Sequence, residues 1–418
     1  MADKPGPGPA PRAAGVTSSQ RLKLQASLSQ AMMYSRGVSS EESKTAFAHA
    51  RALAAGVENA SERFDAYYGL FAGSLFRGEL SLARETAVSF LHDAEDEGWM
   101  TEAAVARRNL GMARLFEGDF VDAEKNLAEV LRTYDPERDR DARFRFGVDT
   151  GAGAAVYLAL ASWALGGVER ARALSEEALT RANETGHAPT RVNAHYYLSL
   201  YHALRGVPET VMRTAKIVVD LSREHGLATY LGGGEVHTNW ARARLGDRES
   251  RTTGLKQALA GYLGQRNKLH APIFQGLVAE VEAEGDDADG AVRRVEEALA
   301  LANETGAHWT DALLHRIRGE ILLKREPANP APAEEAFQTA IAIAKEQGAR
   351  SYVLLVSLSL AKLYRWTGRP EEAHAVLAPT LGGFSPTPEM PEIAEAQTLL
   401  AALAETKEVS AQNGQDRP

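Results

Sequence analysis

The sequence predicts an all-α fold: an α-α superhelix of about nine antiparallel helix pairs with a C-terminal capping helix. Three observations predict it. First, Glu176-Glu177-Ala178-Leu179 with Ala182-Asn183-Glu184-Thr185-Gly186 returns as Glu296-Glu297-Ala298-Leu299 with Ala302-Asn303-Glu304-Thr305-Gly306, an offset of 120 residues. Arg223-Glu224-His225-Gly226 ends a further helix 40 residues after Gly186, so the offset holds three units of 40. Second, Gly37, Gly78, Gly118, Gly166, Gly206, Gly246, Gly285 and Gly368 each follow an Ala/Leu-rich amphipathic stretch, at gaps of 41, 40, 48, 40, 40, 39 and 83. Third, no strand alternation or Asn-Gly hairpin competes with the helical period. A repeat of this length is the mark of stacked supersecondary units.

Each element follows in order. Residues 1–17 (MADKPGPGPAPRAAGVT) lack the apolar core of a secretory signal and read as a disordered Pro/Gly-rich tail. The solenoid is expected over residues 18–405. Within a unit the glycine supplies the positive φ that ends helix A. Five residues later a small residue lets helix B come close, as in Ala83, Ala123, Ala171 and Ala373. Helix B then carries an apolar stripe such as Leu127, Val130 and Leu131. The gap of 48 is one period plus an eight-residue insertion after Tyr134, and the gap of 83 spans two periods, with Pro327-Ala328-Asn329-Pro330-Ala331-Pro332 in place of a glycine turn. Pro391–Glu405 reads as the terminal helix, and residues 406–418 as a disordered polar tail.

Two stretches make the pattern specific. Asn109-Leu110-Gly111-Met112-Ala113 with Gly118-Asp119-Phe120, Ala123 and Asp135-Pro136 resembles a tetratricopeptide repeat. So does Leu360-Ala361 with Tyr364 and Gly368-Arg369-Pro370-Glu371-Glu372-Ala373. The 40-residue period makes these extended units, and Val211 and Arg251 replace the small residue in two of them.

A narrower resemblance is carried by three further stretches. Tyr134-Asp135-Pro136-Glu137-Arg138 leads through Phe144-Arg145-Phe146-Gly147 to Ala155-Val156-Tyr157-Leu158-Ala159-Leu160. The second holds Trp309, Ala312, Leu314-His315-Arg316, Arg318-Gly319-Glu320 and Leu322-Leu323. The third runs from Ala340-Ile341 through Gln347-Gly348-Ala349-Arg350-Ser351 to Glu371-Glu372-Ala373-His374. Together they are similar to the C-terminal helical-repeat region of bacterial proteins that join a class III adenylate/guanylate cyclase domain to an ATPase module. The resemblance implies a regulatory or sensor domain. The catalytic modules themselves have no counterpart: no G-x-x-x-x-G-K-[S/T] phosphate loop occurs, and Lys44-Thr45 lacks its glycine.

Composition narrows the function. The 418 residues hold 47 Lys and Arg against 56 Asp and Glu, a formal charge of −9, and no cysteine. A disulfide framework, a thiol nucleophile and a Cys-ligated metal are thereby excluded. The acidic balance argues against nucleic acid, whose phosphates are bound by Lys and Arg. Thr150–Val168 has no charge, but its four glycines, Ser162 and Thr150 favour a buried helix over a membrane span. No membrane partner, metal or other cofactor is expected, and the setting is cytoplasmic.

The chemistry-bearing patterns are sparse. Gly151-Ala152-Gly153 has neither the strand nor the third glycine of a dinucleotide loop. His195 and His202 share a helix face among Tyr196, Tyr197 and Tyr201, without a third metal ligand. The alternating charges of Asp135–Arg145 fit a loop whose ions pair locally, with Phe144 and Phe146 docking on the solenoid. No catalytic residue is nominated. The expected function is a non-catalytic protein- or peptide-binding scaffold, in a bacterial cyclase or ATPase signalling system. The alternatives are a small-molecule sensor enclosed by the superhelix and, third, a truncated cyclase family member. Repeat register puts Arg108, Tyr196 and Trp240 near the concave face, with His195 and Asn239 adjacent, as candidate binding residues.

Overall fold

The computed structural model describes residues 40–54, 60–246, 252–285 and 287–415, with scattered positions between 20 and 36. Among the described residues twenty α-helices follow one another. The first five are α1 (Glu41–Ala54), α2 (Ala60–Arg77), α3 (Leu80–Asp96), α4 (Met100–Glu117) and α5 (Phe120–Thr133). The insertion forms two single turns, α6 (Pro136–Asp139) and α7 (Ala142–Arg145). The central pairs are α8 (Thr150–Ala164) with α9 (Val168–Glu184), α10 (Ala188–Leu204) with α11 (Pro208–His225), and α12 (Ala228–Arg244) with α13 (Thr253–Gly264). Then come α14 (Ala271–Glu284) with α15 (Ala288–Thr305), α16 (Asp311–Arg325) with α17 (Ala331–Glu346), and α18 (Arg350–Trp366) with α19 (Pro370–Leu377). Helix α20 (Glu392–Gln415) ends the array, so its backbone stays helical past residue 405.

Eight complete pairs run from α2 to α19. Helix α1 is the second member of a ninth, since Leu22 packs in one buried cluster with Ala50 and Ala66. The tail expected over residues 1–17 lies outside the described residues, as do Gly37 and Arg251.

The turn chemistry is local. Gly78, Gly118, Gly166, Gly206, Gly246 and Gly368 all have φ between 68° and 97°. Gly285 departs from this series: at φ −86° and ψ −152° it is extended. Helix α15 starts instead on Asp287, whose carboxylate accepts from the Gly290 N–H. Behind the turns Ala83, Ala123, Ala171 and Ala373 are fully buried, and Val211 is buried at the same position. The small residue is therefore one solution to that contact.

Helix α8 is buried on every face, which explains its apolar, chargeless sequence. No helix among the described residues is long and apolar enough to cross a membrane. Asp149 caps α8 through the Ala152 N–H at 2.8 Å. A Cβ on Gly151 would lie 3.0 Å from the Tyr134 ring, and one on Gly153 would lie 3.2 Å from Arg108 Cδ. These two glycines serve close packing at the helix start.

The superhelix completes a turn, and its first half stacks on its second. The Lys268 N–H donates to the Phe76 carbonyl at 2.9 Å. Gly78 abuts Thr305, Gly118 abuts Gln347, and Gly166 abuts Arg350 and Phe384. Three turns of the first half thus rest on three turns of the second.

Candidate axial cavity

Stacking closes the concave side, and the interior is filled rather than open. Tyr196 of α10 is buried with its ring against Tyr197, Tyr230, His237 and His270. Its hydroxyl lies 3.2 Å from His270 Nδ1. Phe116, Phe274 and Trp309 complete this aromatic centre around His270. Burial pushes both His237 and His270 down to about 3, so they are neutral at physiological pH.

The sequence-predicted residues separate here. Arg108 is buried, and its guanidinium donates to the carbonyls of Val148 at 3.1 Å and Phe146 at 3.3 Å. It pins the return of the insertion. His195 is half-buried, held below the usual imidazole range by burial and by Arg191. Asn239 Nδ2 donates to the Glu235 carbonyl of its own helix at 2.8 Å. His202 borders Arg205, its Nδ1 3.4 Å from the guanidinium, and burial lowers it to about 4. Among the described residues no group of three His, Asp or Glu side chains could hold a metal ion.

Of the five candidates only Trp240 lines a cavity of about 380 Å³ enclosed by the first helices. Its wall takes residues from six successive first helices, Trp163, Ala203, Trp240, Glu280, Ile317 and Leu355, and the lining position moves from the C-terminal end of α8 to the first turns of α18. Arg205, Arg244 and Arg316 add cations, and Pro388–Glu392 closes one side. Both indole N–H groups, of Trp163 and Trp240, are buried without a hydrogen-bond partner.

Charges of both signs line the cavity. Arg205, with a side chain 7% exposed, pairs with Glu389 at 2.8 Å and lies over the Tyr201 ring at 4.9 Å. Arg316 donates to Glu320 at 2.9 Å. Glu280 has neither a hydrogen bond nor an ion pair to its carboxylate among the described residues. Burial, aided by Glu320 and opposed by Arg316 and Arg244, raises it to about 7. Trp163, Arg205, Glu280, Arg316 and Glu389 were missed by sequence reasoning. No recurrence in the sequence marks them, because the lining position shifts along the helix from one repeat to the next and only the tertiary structure brings these residues together.

The insertion charges pair as a loop of this composition should. Arg138 meets Asp139 at 2.7 Å, and Arg145 reaches Asp65 at 2.9 Å and Glu102 at 2.8 Å. Phe146 is buried against Tyr68 and Phe90, whereas Phe144 is 63% exposed. Phe146 is the buried anchor of the two, and Phe144 meets the solenoid at its surface, its ring edge-on to His187 at 5.3 Å.

A Rap protein complexed with the competence and sporulation factor matches with a TM-score of 0.55 and 13% identity, over 93% of this chain and 99% of its own. The Rap conjugation gene regulator of the plasmid pLS20, in complex with the Phr* peptide, matches with a TM-score of 0.51 and 12% identity, over 80% of this chain and 98% of its own. The fold is a tetratricopeptide-like α-solenoid. No protein-family model matches the chain, and no curated protein does.

Proposed function

We propose that this chain is a non-catalytic scaffold that binds a peptide, or a short segment of a partner protein, in its axial cavity. The single observation that carries the reading is the 380 Å³ cavity, with indoles, arginines and an unpaired glutamate converging from six helices. Buried aromatic and arginine anchors are what peptide-binding clefts use. Two proteins of this fold form complexes, one with the competence and sporulation factor and the other with the Phr* peptide. The resemblance to the repeat region of cyclase–ATPase proteins supports a role as regulatory or sensor module of such a bacterial system, in the cytoplasm.

A pool of random octapeptides tests the reading. Wild-type protein should retain a subset and show saturable quenching of tryptophan fluorescence, and Arg316→Gln should lose both. Equal retention by the two proteins removes the cavity from the proposal. The cavity volume favours one second reading, a small-molecule sensor, because enclosed small-molecule sites span about 300–1,000 Å³. Quenching by a metabolite mixture and not by peptides would select it.

A further inference from the structure

One wall of the cavity belongs to the chain's own connection between α19 and α20. From Gly383 it runs as Phe384-Ser385-Pro386-Thr387-Pro388-Glu389-Met390-Pro391, and its last four residues line the cavity. Phe384 is touched by the Arg350 guanidinium, 5.0 Å from the ring centre. The Thr387 hydroxyl donates to the Glu169 carboxylate. A turn forms at Pro388-Glu389, since the Met390 N–H donates to the Thr387 carbonyl at 3.3 Å. Proline at the second turn position presets φ for it. Met390 beyond it is buried in the core.

The tip of this strap answers one buried cation. Arg205 Nε donates to the main-chain carbonyl of Glu389 at 3.0 Å, and its NH2 pairs with the same residue's carboxylate at 2.8 Å. Were the strap to leave, Arg205 would remain a desolvated charge without its acid, an unfavourable state. His202 and Tyr201, the titratable groups of the same helix beside Arg205, are both neutral and supply no replacement. Any occupant that displaces the strap must therefore restore both a carboxylate and a main-chain carbonyl at Arg205.

Resting on the peptide-binding reading above, we infer that residues 385–391 are an internal occupant of the cavity mouth, and that the external ligand is an acidic peptide replacing it. That peptide presents a turn with a Glu or Asp to Arg205, followed by an apolar side chain where Met390 sits. The strap competes at the high effective concentration of a short tether, which holds the site closed to weak ligands.

The probe is a fluorescent peptide of residues 385–391, Ser-Pro-Thr-Pro-Glu-Met-Pro with blocked ends, titrated into the full chain by anisotropy. Glu389→Gln, which weakens the internal contact, should bind it at least tenfold more tightly than wild type. A control peptide with Gln for Glu should bind that variant at least tenfold more weakly. Glu389→Ala serves as a second variant should Glu389→Gln melt abnormally. Equal affinity of the acidic and control peptides, or equal affinity of wild type and both variants, overturns the inference. The octapeptide pool separates the two readings: retention from the pool with failure of the strap peptide sinks only the strap, and failure of both sinks both.

Discussion

The Ser351 hydroxyl donates a 2.6 Å hydrogen bond to the main-chain carbonyl of Trp163, 188 positions earlier in the chain. Ser351 lies in the first turn of α18 and is fully buried, so this bond joins the fourth quarter of the solenoid to α8 across the closed superhelix. The Trp163 carbonyl also accepts from the Gly166 N–H at 3.0 Å, so it keeps a partner when the serine is lost. Ser351→Ala should lower unfolding stability by about 1 kcal/mol. The urea midpoint should fall with an unchanged slope. An unshifted midpoint would mean that the bond does not hold the closure.

Two turn glycines with similar backbone angles should respond differently to alanine. Gly78 and Gly206 have φ of 76° and 68°, so each variant bears the left-handed cost of about 1–2 kcal/mol. A Cβ on Gly206 meets nothing within 4 Å, whereas one on Gly78 falls 2.5 Å from Thr305 Cγ2. Threonine is stiff at χ1 and cannot swing aside freely. Gly78→Ala should cost about 1–3 kcal/mol more than Gly206→Ala in thermal or urea unfolding. Equal costs would show that the two halves do not press together at this turn.

Acid should destabilise the fold through its buried imidazoles. His237 and His270 stay neutral in the folded chain down to about 3, while the unfolded chain takes up their protons near 6.5. Between those values the unfolded state binds more protons, so stability is lost as pH falls, by up to about 1.4 kcal/mol per pH unit for each group. His237→Phe, seated among Tyr196 and Phe274, should flatten the slope of stability between pH 6 and 4. A slope identical to wild type would count against a neutral buried His237.

Glu280 acts in the opposite sense at higher pH. Its folded value, raised to about 7 from 4.5, means that the folded chain holds this proton while the unfolded chain has released it. Its stabilising share is complete below 4.5 and is lost as pH climbs to about 7 and beyond. Glu280→Gln should therefore raise stability at pH 8 by about 1–2 kcal/mol and leave it unchanged at pH 4. A gain of the same size at both pH values would point to packing rather than ionisation.

The repeat, the helix pairs and the turn glycines were legible because their causes are local. Positive φ at Gly118 and Gly368 needs only the absence of a Cβ, and a buried Ala123 or Ala373 follows from the spacing to it. Gly285 misled because the acid that follows, Asp287, can start a helix without a left-handed turn before it. The site was legible only at Trp240. Tyr196 and Arg108 carry the same signature of aromatic or cation on a first helix, yet His270 and the Val148 carbonyl absorb them.

By itself the sequence determined an all-helical solenoid of 40-residue units, since helical periodicity and turn conformation are properties of neighbouring residues. Whether that solenoid leaves an open groove or closes on itself depends on the rotation between successive pairs. Small rotations accumulate over the array and are set by side-chain packing that no single unit specifies. Only the tertiary structure therefore decided that Gly78 meets Thr305, that Ser351 meets Trp163, and that Arg205 meets Glu389 across 184 residues at the mouth of a cavity.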